Sequence, residues 1–76
     1  MPEIPVTALH NYLAKINRLD WLSYSEVAAG PQNDPTWTIE CKINGTVRGT
    51  GIAKKKNAAK EAAAKEALQA LRSGML

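Results

Sequence analysis

With 76 residues, 45% of them hydrophobic, the chain is long enough for one modest core and short for an enclosed catalytic cleft, so a binding module is expected rather than an enzyme. The only cysteine, Cys41, excludes an internal disulfide framework and any multi-cysteine zinc site, and neither a metal nor a cofactor is expected. The formal net charge of +3 hides an asymmetry: residues 1–41 carry two basic against five acidic side chains, and residues 42–76 carry eight against two, which suggests a polyanionic partner for the C-terminal half.

The N-terminal "MPEIPVTALH" lacks the basic flank and long apolar segment of a signal peptide, and no apolar stretch approaches the ~20 residues of a membrane span. A soluble intracellular chain of cytoplasm or nucleus is expected, or a fragment of a larger one. After a lead-in with Pro2 and Pro5, Leu9, Tyr12, Leu13 and Ile16 recur at helical spacing, which predicts a helix from Thr7, as N-cap, to Arg18. Its opposite face presents His10, Asn11, Ala14 and Lys15.

A weaker alternation predicts a strand over Ser23–Ala29, with Tyr24, Glu26 and Ala28 on one side, ending at Gly30-Pro31. "GPQNDP" is a loop by composition. In "TWTIECKI" the alternation is clean, with Trp37, Ile39, Cys41 and Ile43 on one face of a half-buried strand. Asn44-Gly45 suits a type I′ turn, so "TVRGTG" folds back as the third strand. The alanine-rich segment that follows the lysine run "KKK", with Ala59, Ala63, Ala67, Leu68 and Leu71 at helical spacing and Gly74 at its exit, predicts a second helix. The expected fold is α+β in the order α-β-β-β-α: a three-stranded antiparallel sheet with two helices packed on one face, as a single domain over residues 1–76 with its core at about 5–71.

These residues resemble the double-stranded RNA-binding domain family. The family's C-terminal signature, roughly G-x-G-x-S-K-K-x-A-K-x-x-A-A-x-x-A-L, aligns with "GIAKKKNAAKEAAAKEAL" from Gly51 to Leu68, while "GPQND" is similar to its G-P-x-H loop and "LHNYLAK" to its first-helix segment. In that register Lys56 and Lys60 take lysine positions and Asn57 replaces one. Lys55 stands where a serine cap is frequent, Ala53 where glycine is, Asn33 where histidine is and Ala14 where glutamine is.

The resemblance implies recognition of double-stranded RNA by shape, largely independent of base sequence. A-form RNA exposes 2′-hydroxyls in a wide, shallow minor groove, while its deep major groove excludes side chains, and one domain spans ~16 base pairs. His10 and Asn11 would meet one minor groove, and Pro31, Gln32 and Asn33 the next. Lys54, Lys55, Lys56, Asn57 and Lys60 would meet the phosphates of the intervening major groove. The residue chemistry agrees, because clustered lysines at a helix N-terminus make an anion site, at the cost of like-charge repulsion.

Each group also has a plainer role: a solvated helix face, an ordinary turn, a solubilising cluster. Asn57 as an N-cap would start the helix a turn later and leave the lysines ahead of it in a loop. Trp21 and Trp37 are expected in the core rather than as base-stacking platforms. The rival to RNA binding is a protein-protein interaction or dimerisation module of the same fold. Any catalysis would lie in additional domains of a parent protein, since these residues supply no carboxylate cluster, phosphate loop or nucleophile constellation.

Overall fold

The computed structural model describes residues 4–74; Pro2 and the expected outer bounds at 1 and 76 lie outside them. The elements run α1 (Pro5–Lys15), a short 3-10 turn (Leu19–Trp21), β1 (Leu22–Ala29), β2 (Thr36–Ile43), β3 (Thr46–Ala53) and α2 (Lys56–Arg72). The strands form one antiparallel sheet in the order β1-β2-β3. The α-β-β-β-α architecture is the one the sequence predicts.

α1 begins and ends earlier than expected. Pro5 opens it, as suits a residue with no N–H to leave unbonded and φ already helical, and Thr7 is a helical residue rather than the cap. At the other end Asn17 adopts φ 60, its N–H donating to the Ala14 carbonyl at 3.1 Å, while the Arg18 N–H reaches the Leu13 carbonyl at 2.8 Å. This left-handed closure stops the helix at Lys15 instead of Arg18. Ile16, expected on the buried stripe, is 44% exposed because it falls in that closure.

β1 starts one residue before the expected Ser23, and β2 has the expected bounds. The hairpin turn has φ 55 at Asn44 and 83 at Gly45, both positive as type I′ requires. β3 runs on past Gly51 to Ala53, because Ile52 and Ala53 still pair with Thr38 and Trp37. A bulge between Cys41 and Lys42 leaves Arg48 without a partner position.

The core sits between the sheet and α2, with α1 packed on α2 beside it. Leu9 and Leu13 of α1, Ile39, Cys41 and Ile43 of β2, and Ala59, Ala63, Ala64 and Ala67 of α2 are all fully buried. Each buried leucine contributes about 1.5–3 kcal/mol by leaving water. Trp21 and Trp37 are half-buried against this cluster, in the packing role expected of them. Gly49 and Gly51 of β3 are also buried, and having no side chain they allow the α2 backbone to rest directly on the strand.

Candidate nucleic-acid interface

The side chains singled out in the sequence fall in three exposed regions. On α1, His10 and Asn11 are exposed, with Thr7 and Ala14 beside them, because Leu9 and Leu13 fix the opposite side of the helix in the core. Between β1 and β2, Gly30 at φ 95 turns the chain outward, and the Asp34 N–H donates to the Pro31 carbonyl at 3.1 Å. Pro31, Gln32 and Asn33 are thereby displayed on a tight turn, and both amide side chains can donate and accept.

The third region is the start of α2. Lys55 occupies the N-cap position in an extended conformation, no side chain caps the helix, and the first turn holds no acid. Outward-pointing N–H groups at the positive end of a 17-residue helix are therefore left without a side-chain acceptor. Asn57 is the second helical residue, so the alternative in which it caps a later start does not hold. Lys54 and Lys55 precede the helix, Lys56 opens it, and Lys60 follows one turn on.

The lysines differ in what holds them. Lys54 Nζ lies 3.3 Å from Asp34 Oδ2 and Lys56 Nζ 3.0 Å from Glu26 Oε1. Lys56 also sits over the Trp37 ring, 5.4 Å from its centroid, and Lys60 over the Tyr24 ring at 4.6 Å. Lys55 makes no ion pair or ring contact among the described residues. The Lys54–Asp34 pair joins the loop to the start of α2, whereas no hydrogen bond or ion pair among the described residues ties His10 or Asn11 to either region.

Beneath Lys60 the surroundings are apolar. Cys41 is fully buried, and burial pushes its thiol up to about 11 against the opposing effects of the Tyr24 hydroxyl and the Lys60 charge. Burial also pushes the Tyr24 phenol well above its ordinary range, the adjacent Cys41 adding to the shift. Both groups stay neutral at neutral pH, which leaves the Lys60 ammonium as the charge at this spot.

Glu26, Asp34, Tyr24 and Trp37 were not singled out as members of the site, yet each touches a lysine in it. The alternation in β1 held part of the signal, since Tyr24, Glu26 and Ala28 share the side that pairs with Cys41, Ile39 and Trp37, the side on which α2 lies. Among the described residues no three His, Cys, Asp or Glu side chains gather so as to hold a metal ion, and no helix is long and apolar enough to cross a membrane.

Residues 5–71 match the family model described as double-stranded RNA binding motif. Over 62 residues the chain is 39% identical to Ribonuclease 3 of Corynebacterium diphtheriae, covering 82% of this chain and 24% of that protein; the chain thus spans about a quarter of the length of this curated relative. The solution structure of both dsRBDs of DRB4 with their linker is similar at a TM-score of 0.69 and 31% identity, over 97% of this chain and 50% of that one.

Proposed function

The chain belongs to the double-stranded RNA binding motif family, which makes double-stranded RNA its partner, and from that premise we propose that it holds the duplex by shape through two minor grooves and the phosphates between them. His10 and Asn11 bond 2′-hydroxyls and base edges in one minor groove. Pro31 stiffens the loop that offers Gln32 and Asn33 to the next. Lys54, Lys55, Lys56 and Lys60, with the amide of Asn57, line the phosphates across the major groove.

The observation that carries this reading is the uncapped N-terminus of α2, whose first turn holds no acidic residue, set among four lysines. Like charges there cost stability, and a phosphate ladder returns it. Catalysis is assigned to other domains of a longer protein to which this one delivers its substrate, a reading supported by the quarter-length match to a ribonuclease.

A second reading, a protein-interaction surface, is favoured by Val27 and Ile52, which flank Thr38 on the outer face of the sheet and are 56% and 66% exposed. The lysine cluster, which that role does not need, ranks RNA first. The test is titration of a duplex RNA of ~20 base pairs beside the matching DNA duplex and single strand, at one salt concentration. Duplex RNA binds much more tightly than either if the reading is right; equal affinity for the two duplexes overturns it.

A further inference from the structure

Two of the four lysines at the phosphate-facing end of α2 already hold an anion. Glu26 Oε1 is 3.0 Å from Lys56 Nζ, and Asp34 Oδ2 is 3.3 Å from Lys54 Nζ, so each ammonium already has an anionic oxygen within ion-pair reach, as it would a phosphate oxygen. Neither carboxylate is near in sequence: Asp34 closes the loop between β1 and β2, and Glu26 projects from β1 on the side that pairs with Ile39. From this geometry, and resting on the RNA-binding reading above, we infer that Glu26 and Asp34 are built-in counter-ions that restrain phosphate binding by Lys56 and Lys54.

When RNA arrives, each lysine either exchanges its carboxylate for a phosphate or bonds both. Exchange leaves a carboxylate stranded beside a polyanion. Sharing is open to an ammonium with three donors, but it sets carboxylate and phosphate face to face. Both routes oppose binding. The effect is graded: Lys54 and Asp34 are 64% and 67% exposed and strongly screened, whereas Lys56 and Glu26 are 49% and 32% exposed, and the Lys56 ammonium also lies 5.4 Å from the Trp37 ring centroid. Glu26 is therefore the stronger restraint. Lys55, without such a partner among the described residues, makes the first phosphate contact.

The experiment is titration of duplex RNA of ~20 base pairs across a salt series with the full chain and its Glu26→Gln and Asp34→Asn variants. Each variant binds up to about five-fold more tightly at low salt, Glu26→Gln gaining more, since a partly exposed pair is worth up to about 1 kcal/mol. The log-log salt slope steepens by up to roughly one, because no freed carboxylate takes up a cation. The Glu26→Gln gain disappears in a Lys56→Ala background, and Glu66→Gln, the same charge change farther along α2, leaves affinity nearly unaltered. Unchanged or weaker binding by folded Glu26→Gln and Asp34→Asn overturns the inference, and so does a gain that persists without Lys56. Failure of the RNA-binding reading is told apart beforehand, because it shows as equal binding of RNA and DNA duplexes by the unsubstituted chain.

Discussion

Gly51 of β3 lies directly beneath Ala59 of α2: a Cβ placed on Gly51 would collide with the Ala59 carbonyl oxygen and sit 2.7 Å from the Ala63 nitrogen. Both obstacles are backbone, which cannot rotate away as a side chain can. Gly51→Ala therefore lifts the first turns of α2 off the sheet, or fails to fold around them. The expected loss in a denaturant melt is about 3 kcal/mol, the upper end of overpacking costs. Where the variant still folds, RNA affinity falls as well, because Ala59 adjoins Lys60 and lies one turn beyond Lys55.

Cys41 gives the fold an alkaline limit. Burial raises its thiol from 9.0 to about 11, so the stabilisation it contributes is fully present below pH 9 and is lost as pH rises toward 11. The loss amounts to roughly 2–3 kcal/mol at most, for about two pH units of displacement. Melts from pH 7 to 11 show this limb, and Cys41→Ala makes it shallower while lowering stability at neutral pH by leaving a small void. Tyr24, displaced in the same direction, maintains a residual slope.

Which parts of this molecule are legible in its sequence follows from the range of the forces involved. The alternation from Trp37 to Ile43 and the Asn44-Gly45 turn are local, and both stand where they were expected. The α1 boundaries shifted because two local cues competed: Thr7 suits a cap, but Pro5 suits the first helical position better, and Asn17 took the left-handed conformation that asparagine tolerates. Gly49 and Gly51 fall inside the strand expected from "TVRGTG", but why glycine stands at these two positions is not legible until it is known which helix lies on them. The partners of Lys54 and Lys56 come from Asp34 in the loop and Glu26 in β1, and no periodicity links such distant positions.

Two of the departures from the family register, at Asn57 and Ala14, remove an expected RNA-contacting group, and restoring them tests that register. Asn57→Lys adds an ammonium in the first turn of α2, and Ala14→Gln adds a donor and acceptor to the exposed face of α1. Both variants are expected to tighten duplex RNA binding, Asn57→Lys with a salt slope steeper by roughly one and Ala14→Gln with an unchanged slope. Because Asn57 makes no capping bond, its replacement costs only the repulsion of one more lysine at the positive end of α2, a fall of a few degrees in melting temperature. Unchanged affinity in both would place the RNA on another surface.

Charge and shape separate in a comparison of Lys55 with Asn33. Lys55 is exposed and makes no ion pair among the described residues, so Lys55→Ala removes the proposed phosphate contact and little else. It weakens binding to every duplex RNA sequence alike and lowers the log-log salt slope by roughly one. Lys60→Ala lowers the slope too, but it also uncovers the Tyr24 ring and costs about 0.5–1 kcal/mol of folding stability, whereas Lys65→Ala, farther along α2, affects binding less. Asn33→Ala has a different signature: if its partner is the proposed 2′-hydroxyl, RNA-over-DNA preference falls while the slope holds. A folded Lys55, Lys56 and Lys60 triple alanine variant that binds duplex RNA normally would remove the phosphate mechanism and put the outer face of the sheet, with Val27 and Ile52, ahead as the working surface.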